Sequence, residues 1–180
     1  MVEKKEVSGR EGINGLPGFP VVVACIKDNP ITLAAVSFFS FNPPMVMIGI
    51  VKNRYSYELI KETNDFTLNI PKLEQLEKVH YIGTKSGREV DKFKETGLTK
   101  VKSKTIASSM IKECPVSLEC KVVHTLDLGG SHVWFIGEVS AAYIEESYNR
   151  SQAITYWPRE YRRVGEVYAK RTKSFELEYV

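Results

Sequence analysis

The 180-residue sequence is 43% hydrophobic and 26% charged, enough apolar material for one domain with a real core and too much for a disordered chain. The formal net charge is +3, and apart from short clusters at Lys100–Lys104 and Arg159–Arg163 the cations are scattered among acids, which speaks against a nucleic-acid track and leaves room for a local anion site. Cys25, Cys114 and Cys120 form no CxxC pair and no complete disulfide set, so a reducing, cytoplasmic setting is the simplest expectation.

In chain order, residues 1–15 are polar, contain no apolar leader, and read as an arm ending in the Pro17, Gly18 and Pro20 turn. Pro20 to Ile26 is a β-branched strand, Lys27-Asp28-Asn29-Pro30 supplies turn chemistry, and the apolar run from Ile31 follows, giving a hairpin over Val21 to Ser40. After Asn42-Pro43-Pro44, Met45 to Val51 is a third strand of what reads as an antiparallel meander. Ser56 to Thr63 has helical spacing, with Ser56 as the expected N-cap and Glu58 in the first turn. Phe66 to Ile70 alternates as a strand, Leu73, Leu76 and Val79 mark a second helix stopped at Gly83, and Asp91-Lys92-Phe93 begins a short helix ending at Gly97. Val116 to Val122 and Val133 to Val139 read as two long paired strands across the Leu128 to His132 turn. The tail from Glu145 has ordered points at Trp157-Pro158 and Tyr161 to Gly165, then an exposed basic segment at Lys170 to Lys173. No run reaches the ~18 apolar residues of a membrane span.

Chemistry concentrates in three places. Ala34, Ala35 and Ser37, beside Phe38, are small enough to let a backbone approach a flat ligand, although they suit a tightly packed barrel strand equally well. Asn53-Arg54-Tyr55-Ser56 puts a cation and a hydroxyl at a helix start, where unpaired N–H groups and the helix dipole favour an anion; an ordinary capped helix with a surface arginine is the plainer alternative. Gly83 to Arg88 adds a cluster of glycine, hydroxyl and cation without Walker spacing, which also fits a surface loop. His80, His124 and His132 have no zinc-like spacing, and Cys114, before Pro115, is the most exposed thiol by this reading.

Together these segments resemble the flavin reductase-like family with an FMN-binding split barrel, especially the branch of flavoredoxins and archaeal ferric reductases. The resemblance spans about Pro17 to Gly165 and rests on Thr32 to Phe38, Asn42-Pro43-Pro44, Arg54 to Tyr57, Phe66 to Asn69, Ser86-Gly87-Arg88 with Asp91 to Phe93, and Gly130-Ser131-His132 with Gly137 to Val139. It implies a mainly β, Greek-key split barrel with short helices, divided as arm 1–16, domain 17–168 and tail 169–180. It also implies a homodimer that holds FMN noncovalently and acts as a flavin or ferric reductase with NADH or NADPH as donor; the mild charge and the lack of an apolar span give no expectation of a nucleic-acid or membrane partner. Thr32, Ala34, Ala35, Val36, Ser37 and Phe38 would run along the flavin, Arg54 and Ser56 would meet its phosphate, and Ser86, Arg88, Lys92 and His132 would complete the pocket. Many members of the family carry Asp where this chain has Ser131. A flavoredoxin-like electron carrier without NAD(P)H activity is the alternative within the resemblance.

Overall fold

The structure is a computed structural model that describes residues 3–171 and 177–180. The arm is not wholly extended: α1 (Gly9–Asn14) is a short helix held by reciprocal bonds, with Ser8 Oγ accepting from the Glu11 N–H and the Glu11 carboxylate accepting from the Ser8 N–H. Residues 1 and 2 of the expected arm, and Thr172 and Lys173 of the expected basic segment, lie outside the described residues; Lys170 and Arg171 are exposed.

The elements then follow as β1 (Phe19–Pro20), β2 (Val22–Ile26), β3 (Asn29–Leu33), β4 (Val36–Phe41), β5 (Pro44–Val51), α2 (Tyr55–Thr63) and β6 (Asp65–Ile70). A 3-10 turn at Leu73–Gln75 leads into α3 (Leu76–Thr84), followed by α4 (Lys92–Thr96), β7 (Lys100–Val101), β8 (Met110–Ile111), β9 (Val116–Leu126) and β10 (His132–Ile144). The chain closes with β11 (Ile154–Tyr156), β12 (Tyr161–Arg163), β13 (Ala169–Arg171) and β14 (Leu177–Tyr179). Seven strands make one antiparallel sheet in the order β3-β2-β6-β9-β10-β5-β4, and β1-β11-β12 form a small sheet beside it.

That order corrects the hairpin expected over Val21 to Ser40. The apolar run from Ile31 is two strands: β3 pairs with β2, whereas β4 pairs with β5 at the opposite end of the same sheet. Ala34 and Ala35 carry the chain between the two ends, and the Gly49 N–H of β5 donates to the Ala35 carbonyl at 2.7 Å, which ties the curled sheet into a barrel. The turn before β3 is also shorter than expected, because Lys27 takes a left-handed φ of 53° and only Lys27-Asp28 separate the strands. Pro30 is tolerated inside β3 because β3 is an edge strand. Gly83 does not stop α3, which runs on through Thr84, but Gly97 does end α4 at a φ of 63°.

The core has two parts divided by β2. Val22, Ala24 and Ile26 face the barrel interior with Ile48, Phe66 and Phe135, while Val21, Val23 and Cys25 pack outward against Val79, Ile82 and Phe93 of α3 and α4. A strand covered on both faces reads as a continuous β-branched run, as this one does. Two buried carboxylates then fasten the connection between β7 and β8. Asp65 accepts from the Ala107 and Ser108 N–H groups, and Glu119 accepts from the Lys104 and Thr105 N–H groups, the Thr105 hydroxyl and the Tyr143 hydroxyl. Cys114 is buried rather than exposed, and burial pushes its thiol up, as it pushes Cys25 and Cys120 up to about 12. No helix among the described residues is long and apolar enough to cross a membrane.

Candidate functional site

The join between β3 and β4, the N-terminus of α2, the segment after α3 and the start of β10 all border one cavity of about 770 Å³. Of the sequence-predicted residues, it brings together Thr32, Ala34, Ala35, Val36, Ser37, Arg54, Ser56, Ser86, Arg88, Lys92 and His132. Phe38 is the exception. It is 55% exposed and stacks on Phe41 with ring centroids 4.2 Å apart, because β4 has by then run past the cavity into a bulge between Phe38 and Ser40.

The local chemistry differs from the expectation at several of these positions. Ser56 does not cap α2. Arg54 occupies the N-cap position with extended backbone, while Ser56 lies two residues into the nine-residue helix and its oxygen accepts from Asn29 Nδ2 at 2.8 Å. Thr32 donates its hydroxyl to the Val79 carbonyl at 2.6 Å, so that group fastens β3 to α3. Arg88 pairs with the Glu58 carboxylate and lies over the Tyr55 ring at 5.2 Å. Arg54 is exposed and makes no ion pair among the described residues.

Lys92 is the buried cation of the site, 5% exposed, with Nζ donating to the Pro30 and Ile82 carbonyls at 2.9 Å each. Burial, and after it the nearby Arg54 charge, push its ammonium down to about 8. Two of its three N–H bonds are used by those carbonyls, which leaves one for a ligand. A cation that is both desolvated and next to another cation is relieved by an anion, and the first-turn N–H groups of α2 add to the same demand. Gly87 completes this group: a Cβ there would lie 1.9 Å from Asn29 Oδ1.

A second group of lining residues is flat or small. Gly49 packs closely between Ala35 and the Trp134 ring, where a Cβ would meet them at 3.1 and 3.3 Å, the His132 and Trp134 ring centroids are 6.3 Å apart, and Ser131 bonds to His132 Nδ1 at 2.8 Å. Phe19 and Trp157 meet edge to face at 5.3 Å, with Trp157 Nε1 donating to the Ile13 carbonyl of the arm. Asn29, Phe19, Trp134 and Trp157 escaped the sequence reading. Asn29 looks like a turn residue, and the aromatic residues come from segments whose meeting depends on sheet order. Among the described residues no cluster of His, Cys, Asp and Glu could hold a metal ion.

A curled antiparallel barrel with this cavity beside its β3–β4 join is the split barrel of flavin reductase-like proteins. The chain belongs to the family described as flavin reductase like domain, which matches residues 13–165. It is similar in structure to the flavoredoxin of Desulfovibrio vulgaris (TM-score 0.84, 27% identity, covering 97% of this chain and 100% of that one). It is also similar to the flavoredoxin of Methanosarcina acetivorans (TM-score 0.84, 30% identity, 96% and 97% covered). In sequence it is 38% identical to an uncharacterised protein of Pyrococcus abyssi over 71% of this chain and 74% of that one.

Proposed function

We propose that the cavity holds FMN noncovalently and that the protein is an oxidoreductase that draws electrons from NADH or NADPH and passes them to free flavin, ferric iron or a redox protein. The observation that carries this reading is the pairing, in one cavity, of a phosphate-suited group with a narrow wall. Arg54, Ser56, Ser86, Arg88 and Lys92 suit a phosphate, and Ala34, Ala35 and Gly49 under Trp134 suit a flat ring. These residues fit the cofactor: an unpaired arginine and a desolvated lysine at a helix N-terminus offer donors and positive charge, and the small residues offer close approach. Thr32, Val36, Ser37 and His132 complete the proposed contacts. When bound, FMN supplies hydride and electron transfer, so the chain's own task is to bind, orient and shield it.

The N-terminal arm (1–16), the binding domain (17–168) and the tail (169–180) divide this proposed unit. A homodimer fits the same reading, because edge strand β4 exposes Phe38, Phe39 and Phe41, the last 86% exposed and stacked on Phe38. The buried, unpaired thiols favour a reducing cytoplasm. A second reading, an electron carrier without NAD(P)H activity, is favoured by the similarity to the two flavoredoxins. The test is the visible spectrum of the purified protein, followed by anaerobic addition of NADH or NADPH. Flavin bands that bleach support the reductase, bands that bleach only with a reduced redox protein support the carrier, and a colourless protein that takes up no added FMN overturns both.

A further inference from the structure

Asn29 opens β3 in a position that is 8% exposed, and its Nδ2 donates to Ser56 Oγ, itself 2% exposed. A hydroxyl that accepts from an amide keeps its own hydrogen to donate. Ser56 spends that hydrogen on no acceptor among the described residues. It lines the cavity next to Arg54 and Lys92, so the Ser56 hydroxyl, the Arg54 guanidinium and the Lys92 ammonium are three donors that this corner can turn toward a ligand. Gly87 holds the arrangement from the other side. An added Cβ there would stand 1.9 Å from Asn29 Oδ1 and 2.9 Å from its Cγ, so the carboxamide keeps its place only against a residue without a side chain.

From this geometry we infer that Asn29 is a positioning residue that fixes the Ser56 hydroxyl as a donor and thereby makes the cavity select a fully ionised phosphate monoester. The inference rests on the proposed FMN reading and adds to it a residue outside the motif that suggested the phosphate site. A dianion accepts from Ser56, Arg54 and Lys92 together, whereas a protonated phosphate carries less of the charge that the two cations attract and has one oxygen less free to accept. The opposite orientation of the amide would make Ser56 donate to Asn29 and leave nothing for the ligand, so alanine would then strengthen FMN binding instead of weakening it, an outcome that overturns the inference.

The experiment titrates wild type, Asn29→Asp and Asn29→Ala with FMN and with riboflavin at pH 7.5, following flavin fluorescence. Asn29→Asp takes the Ser56 hydrogen and sets a negative charge beside the phosphate, so FMN affinity falls roughly a hundredfold while riboflavin affinity changes by less than about threefold. Asn29→Ala lets the hydroxyl turn freely and weakens FMN only about three- to tenfold. Aspartate worse than alanine, for FMN alone, is the expected signature. Equal losses for the two flavins, or aspartate tolerated as well as alanine, overturn the inference and leave the phosphate reading standing. Wild type that binds FMN no tighter than riboflavin overturns the phosphate reading itself, and the inference with it. If Asn29→Asp does not fold, Gly87→Ala displaces the carboxamide without altering it; it should weaken FMN and spare riboflavin, and parallel losses count against the inference.

Discussion

Raising the pH from 7 to 9 should weaken FMN binding about tenfold and leave riboflavin binding nearly level. The effect comes from Lys92, whose ammonium is held at about 8 by burial first and by Arg54 second. A bound phosphate beside that group favours its charged form, so binding above pH 8 draws a proton from solution, one at most per flavin. An FMN phosphate is already a dianion above about pH 6, so its own titration lies outside the window. With one proton taken up and a free-state value of 8, linkage gives a factor of about 11/1.1, or tenfold, between pH 7 and 9. The sign for folding is opposite. The unfolded lysine keeps its proton to 10.5 while the folded one releases it near 8, so the flavin-free protein gains stability from this group as the pH rises through that interval. Fluorescence titrations with both flavins at half-unit steps, with Lys92→Met alongside, measure the slope and its source. Parallel curves for FMN and riboflavin in wild type would refute the placement of the Lys92 ammonium beside a phosphate.

Arg54→Ala should cost FMN roughly ten- to a hundredfold in affinity, from a charge-assisted bond worth about 1.5 to 3 kcal/mol, and riboflavin much less; equal losses would mean a surface arginine. Glu119→Gln should destabilise the protein by about 1.5 to 3 kcal/mol in urea at pH 7, because the buried carboxylate gathers the Lys104 and Thr105 N–H groups and two hydroxyls. Burial pushes Glu119 up, but the Thr105 hydroxyl and those N–H groups outweigh it and hold it below its ordinary value of 4.5. Its contribution is therefore present above pH 4.5 and lost as the pH falls through the lowered value, so the difference between wild type and variant should shrink in acid. Phe41→Glu should convert the proposed dimer to monomer in sedimentation velocity, since it places a charge at the most exposed of the β4 phenylalanines.

The strands that can be read locally were read correctly, and the failures lie where pairing is decided far along the chain. Val116 to Val122 and Val133 to Val139 alternate and do pair, although β9 runs on to Leu126, β10 extends past both of its limits, and the register slips near Gly137 and Ala141. Ile31 to Ser40 is mostly apolar, and periodicity alone gives no reason to break it. Only the positions of β2 and β5 at opposite ends of the sheet force the break at Ala34-Ala35. Glu119, between Leu118 and Cys120, looks like the outward member of an alternating strand. It is buried because the segment after β7 folds back over it and brings its own N–H groups.

The site divides along the same line. Arg54, Ser56, Ser86 and Arg88 announce themselves because cations and hydroxyls gather at helix ends in the sequence, and the cavity gathers them. Their individual roles were not legible. Ser56 reads from the sequence as a helix cap or a phosphate ligand, and neither reading foresees that its oxygen accepts from Asn29, a residue 27 positions earlier that reads as turn chemistry before a proline. Lys92 looked like one more pocket cation, and its depressed titration follows only from the Pro30 and Ile82 carbonyls and the Arg54 charge that the fold packs around it. On the proposed reading the motif marks where an anion goes. On that reading the protonation state preferred depends on groups outside the motif, and Asn29 and Lys92 act in the same direction: one keeps a donor aimed at the ligand, and the other, already mostly protonated at pH 7, holds its proton to higher pH when the ligand carries full charge.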